Sequence, residues 1–393
     1  METLRNQGSR IRSLDIVRGL VMLIMALDHV RDLIHTESLT GNPTDLSSTT
    51  AVLFLTRWIT HLCAPTFVFL SGASAYLALR KESNLKASRL FLVNRGIWLL
   101  VLEFTIINFG IWFDVHVNVL LFQVIAAIGM GFIALGSLLS CSAKTLGILG
   151  ILIITLHNLF PLLPLADDSL LKTVLSPLFA PTLIPFGHSS SLLIGYPPVP
   201  WIAILFTGFW CGRLFTFDQR KRKHLFLIIG SFCILLFAII RYSNIYGDPL
   251  AWTNQKNTFF TLLSFINVTK YPPSLLFDLL MLGLMFLLLW LAEGKEKRLT
   301  NVISVYGQVP LFYYLLHWYI IHSALFIILF AQGFSFSDFV FGFNFGRPKE
   351  TSGLDLWGIY LLWLGLIIVL YPLCRWYGGY KLRNRVNKWL KYL

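Results

Sequence analysis

Charge is scarce in this sequence: Asp, Glu, Lys and Arg make up only 13% of its 393 residues, against about 25% in soluble domains. With 56% hydrophobic residues and a mean hydropathy of +0.70, a water-soluble globular chain is excluded. A disordered chain is excluded as well, since disorder requires low hydrophobicity. Short polar/apolar alternation is missing, which argues against a membrane β-barrel. The five cysteines, Cys63, Cys141, Cys211, Cys233 and Cys374, are scattered with no CxxC pair, so they form neither a disulfide framework nor a metal site. HExxH, GxSxG and P-loop patterns are also lacking, leaving metal and serine-hydrolase chemistry without support. A cleavable secretion signal is not expected, because Asp15, Arg18, Asp28 and His29 interrupt the first apolar run. There is no internal repeat and no boundary for a second domain, so 1–393 reads as one domain.

What the chain does contain is ten apolar runs: about 14–34, 58–79, 96–113, 117–139, 145–164, 199–216, 224–241, 272–292, 302–330 and 354–374. Most match the roughly 20 residues that cross a bilayer as a helix, which predicts an all-α polytopic integral membrane protein with about ten spans. Gly307 and Pro310 predict a kink near the start of the ninth. Five prolines make 165–198 a long, partly re-entrant loop. If the spans alternate, 24 of the 32 basic residues fall on one side and eight on the other. Basic loops stay in the cytoplasm, so both termini are expected inside and the loops 35–57, 165–198, 242–271 and 331–353 outside. The net charge of +13 then reports orientation rather than nucleic-acid binding. The basic tail 375–393, with Tyr377, Tyr380, Lys381, Arg383, Arg385, Trp389 and Lys391, is expected to lie on anionic headgroups. The lipid bilayer is thus the first expected partner.

Ionisable groups inside a bilayer are costly and mark function. The first helix concentrates them. Arg18 and His29 are eleven residues apart, on one face and about 16 Å apart along the axis. A permanently charged guanidinium at the inner mouth suits phosphate, and an imidazole deeper in suits proton transfer. Asp28 precedes His29, and Asp32, three residues after it, is placed to orient the ring. The second helix brings Arg57 and His61 near the outer surface, with His61 at the depth expected of His29 and His35. Glu103, in mid-span, must be protonated or paired, plausibly with an arginine. In the ninth run, positions 310, 313, 314, 317 and 321 share a face, so Tyr313, Tyr314 and His317 are candidates to line a cavity. Asp278, His157 and Asn158 show no pattern.

The runs RIRSLDIVRGLVMLIMALDH and RWITHLCAPTFVFLSGASA resemble the bacterial membrane proteins related to the heparan-α-glucosaminide N-acetyltransferase catalytic domain. The stretches YPPSLLFDLLMLG, VYGQVPLFYYLLHWYIIH and YPLCRWYGGYKLRNR look like later signatures of the same group. Arg18, ten residues and His29 also fit the Arg-x10-His pattern of the wider transmembrane acyltransferase superfamily. The resemblance implies transfer of an acetyl or acyl group from cytoplasmic acyl-CoA, a co-substrate rather than a resident cofactor, to a sugar or similar acceptor outside a bacterial inner membrane. It maps Arg18 to the CoA phosphates, where Arg95 or Arg213 would assist, and His29 to the acceptor, with His61, His317, Tyr314 and Glu103 around it. The lysosomal enzyme has asparagine at the position of His29 and its histidine in the following link, so His35 is the alternative base. A proton-coupled transporter using Asp28, His29, Glu103 and His317 as a relay is the rival reading.

Overall fold

A computed structural model describes residues 11–384 apart from 81, 165, 167, 188 and 189. The chain is about 70% helical, an all-α polytopic membrane fold. Arg5 and Arg10 of the start, and Arg385, Trp389 and Lys391 of the basic tail, lie outside the described residues.

The first predicted span is α1 (Arg12–Ile34), with 16 of its 23 residues buried. It is the central element, packed against six other helices. A central helix needs no apolar face for lipid, which is how it carries three Asp and three Arg. The second span starts earlier than predicted and is broken into α2 (Ala51–Thr60) and α3 (Cys63–Leu79). Pro65 explains the break: it lacks the N–H that would bond the His61 carbonyl and would clash with it. α4 (Leu85–Leu102) runs through a π-helical turn at Glu103–Ile107 into α5 (Asn108–Trp112).

The fourth predicted span, 117–139, begins as a strand, β1 (Val119–Phe122), and only then becomes α6 (Val124–Ser137). The Asn108 side chain takes both backbone groups of Leu121, at 2.8 and 3.0 Å. With α7 (Ala143–Leu156) the chain turns back. The predicted loop 165–198 instead holds α8 (Leu170–Phe179) and a hairpin of β2 (Thr182–Phe186) and β3 (Ser190–Ile194). β3 pairs in parallel with β1, giving a three-stranded sheet in the order β1-β3-β2. This is a small non-helical exception, and its β1 edge is buried in protein, where irregular backbone is tolerated.

The rest is helical: α9 (Pro198–Cys211), α10 (Gln219–Ser243), α11 (Thr258–Ile266, inside the predicted loop 242–271), α12 (Leu275–Ala292), α13 (Arg298–Gln308), α14 (Pro310–Ala331) and α15 (Leu356–Arg383). The kink predicted from Gly307 and Pro310 is a full break, with Val309 between α13 and α14. Pro310 begins the new helix, where its missing N–H costs nothing. Among the described residues, eight of the predicted spans are helices long and apolar enough to cross a membrane. The two others are the charged α1 and the 14-residue α6.

Close crossings hold the bundle together. A side chain at Gly19 of α1 would strike the Ile303 carbonyl of α13, and one at Gly307 would strike the Asp15 carbonyl of α1. The two glycines let the backbones meet, as small residues do between membrane helices.

Candidate functional site

A cavity of about 680 Å³ opens beside α1. Arg18, Arg95 and Lys381 line it at the end where α1 and α4 begin and α15 finishes, and Tyr314 of α14 lines its deeper end. Arg18 donates to the Leu70 carbonyl at 3.0 Å and to the Ser74 hydroxyl. Arg213 does not line this cavity. It lies just after α9, with its guanidinium 4.8 Å from the Trp210 ring, and the third cation that lines the cavity is Lys381. The sequence places Lys381 in a tail expected on the membrane surface, and nothing local in it shows that α15 ends at the cavity beside α1.

Tyr314 leads to the histidines. His29 Nδ1 and His317 Nε2 are 2.6 Å apart. His317 Nδ1 points at the Tyr314 carbonyl. A carbonyl only accepts, so His317 carries its proton on Nδ1 and, when neutral, accepts at Nε2. His29 therefore donates from Nδ1, and its Nε2 holds the bare lone pair. No hydrogen bond among the described residues occupies that nitrogen. The Trp318 ring stacks on His29 with centroids 4.0 Å apart, and Tyr314 stands edge-on to it at 6.4 Å. Of the three α14 side chains expected to line a cavity, Tyr314 does so, whereas Tyr313 and His317 are not among its lining residues and His317 meets His29 instead.

The expected role of Asp32 is overturned. Its carboxylate takes Arg31 at 2.6 Å and lies 4.0 Å from Arg57, so His317, not Asp32, orients His29. Asp28 is also occupied: Arg31 holds one oxygen at 2.9 Å and Arg57 the other. Two carboxylates and two guanidiniums form one cluster, buried except at Asp32, that ties α2 to α1. The sequence placed Arg57 near the outer surface without showing that it reaches back to Asp28.

Other candidates scatter. His35 caps α1, its carbonyl accepting from Arg347 at 2.8 Å and its backbone bridging to Leu354. His61 ends α2 and packs on Phe277 at 5.9 Å. Neither meets the His29–His317 pair. Glu103, fully buried, has no arginine partner among the described residues. Its carboxylate accepts from the Ala126 N–H at 3.0 Å, because α6 starts inside the protein and its first amides need an acceptor. Among the residues not foreseen, Lys270 of the segment between α11 and α12 is buried near the ion cluster.

The sequence profile described as heparan-α-glucosaminide N-acetyltransferase, catalytic, matches residues 10–240. The chain belongs to this family. Comparison with the curated proteins gives no match. Membership in the heparan-α-glucosaminide N-acetyltransferase family implies a membrane acetyltransferase-like role. The match takes in Arg18, His29, the ion cluster, Arg95 and Glu103, while Tyr314, His317 and Lys381 come from beyond it.

Proposed function

We propose that the protein moves an acetyl or related acyl group from acyl-CoA to a hydroxyl or amine of a sugar-like acceptor on the other side of the membrane. The observation that carries this reading is the His29–His317 pair beside the deep end of a cavity whose mouth bears Arg18, Arg95 and Lys381. Three cations suit the phosphates of a nucleotide thioester. The abundance of Lys and Arg at the same end supports a cytoplasmic mouth.

In this reading His29 Nε2 takes the acceptor proton as the acceptor attacks the thioester carbon. The imidazolium keeps its hydrogen bond to His317 and lies against the face of Trp318, an arrangement that favours a cation. When the C–S bond breaks, the proton passes to the CoA thiolate. General-base catalysis of this kind contributes about 10²–10⁴-fold. The test is acetyl transfer by purified protein from labelled acetyl-CoA to a panel of amino and neutral sugars. His29→Ala is expected to lose about 10²–10⁴-fold in rate and His35→Ala to stay near wild type. Equal losses in both, or a loss confined to His35→Ala, would sink the assignment of His29.

A further inference from the structure

The ion cluster beside His29 is balanced within itself, Asp28 and Asp32 against Arg31 and Arg57. Lys270 adds a positive charge to this neighbourhood. It is only 8% exposed, and its ammonium lies 5.0 Å from the ring centroid of Tyr271, whose hydroxyl meets that of Tyr196 at 3.2 Å. Among the described residues no carboxylate lies within 4.0 Å of it and no oxygen accepts a hydrogen bond from it. It lies within electrostatic range of Asp28, His29 and His61, and little of it reaches the surface.

We propose that Lys270 is the cation that stabilises the tetrahedral oxyanion formed when the acceptor attacks the thioester, an assignment that rests on the acetyltransferase reading. A buried ammonium without a counter-ion is costly to maintain in a resting protein. The cost has a use where negative charge appears only in the transition state, because a cation already in place needs no reorganisation at that moment. In the step itself the new C–O or C–N bond forms, His29 Nε2 takes the acceptor proton, and the carbonyl π pair moves onto oxygen beside Lys270. Collapse restores the C=O bond, breaks the C–S bond and returns the proton from His29 to the thiolate.

Steady-state transfer by the purified full-length protein, with donor and acceptor each varied, tests this. Lys270→Met is expected to lose about 10²–10³-fold in kcat, the usual effect of removing one oxyanion donor, with both KM values little changed. Ethylammonium is expected to restore activity saturably to Lys270→Ala, a response that damage to the fold would not give. If Lys270→Met does not fold, the Ala variant and its rescue decide the matter. An unchanged kcat overturns the proposal. A loss confined to the acceptor KM overturns it too, making Lys270 a contact to a permanently anionic acceptor. A wild-type protein that transfers to no acceptor removes the acetyltransferase reading and this assignment together, whereas an active, Lys270-indifferent enzyme removes only the latter.

Discussion

Asp28 is held by two arginines. Its buried carboxylate lies between Arg31 and Arg57, so it fastens α2 to α1 beside the histidines rather than exchanging protons with them. Removing one member of a buried ion pair leaves a charge without its partner, at a cost of about 3–5 kcal/mol. Arg57→Ala is therefore expected to lower stability by about that amount. The double variant Arg57→Ala with Asp28→Asn should lose less than the two single losses combined, as coupled neighbours do. Thermal unfolding of the four proteins checks both statements, and strict additivity would contradict the pairing. The same region marks the limit of local reading. An Asp three residues from a His is within helical reach, yet Arg31 sits next to Asp32 and takes it at 2.6 Å. The true partner of His29 lies 288 residues away, and periodicity placed His317 on the right face without revealing what that face meets.

Among the elements, α6 is the instructive case. Val119–Phe122 is apolar whether it forms a helix or a strand, so hydropathy merged it with the helix that follows. The structure separates the two, because β3 and the Asn108 side chain supply backbone partners for the strand. α6 consequently starts inside the protein, with 14 residues spanning about 21 Å, too short for a hydrocarbon core of about 30 Å. Glu103 is the acceptor that this interior start requires. Glu103→Gln keeps an oxygen for the Ala126 N–H and should fold and transfer nearly as wild type. Glu103→Leu orphans that amide, at a cost of about 1–3 kcal/mol. A Gln variant that folds normally but has lost activity would contradict this structural role and revive a proton relay. By contrast the breaks after α2 and α13 were legible or nearly so, because proline acts on the backbone within four residues. Pro310 predicts one of them from sequence, and Pro65 explains the other.

For the whole molecule, the scarce charges and the abundant ones tell one story. The uneven distribution of Lys and Arg along the chain is the basis for the expected orientation of the bundle, while charges inside it gather on α1, the helix with the least need of a lipid face. Arg18 lies toward one end of α1 and His29 toward the other, so in the proposed reaction α1 would be the axis along which a donor on one side meets an acceptor on the other. The family profile ends at residue 240, so α14 and α15, which bring His317, Tyr314 and Lys381, complete the site from outside the matched segment. The most direct test of this account uses sealed membrane vesicles carrying the full-length protein, with labelled acetyl-CoA outside and the acceptor sugar trapped within. Orientation is read from Cys141, exposed between α6 and α7, which an impermeant maleimide should reach only where the cytoplasmic face is outward. In vesicles of that orientation the account predicts labelled acetyl groups on the trapped sugar with wild type and a loss of about 10²–10⁴-fold with His29→Ala. Label that reaches the trapped sugar equally well with His29→Ala, or a solute gradient that discharges while no acetyl group leaves CoA, would contradict it.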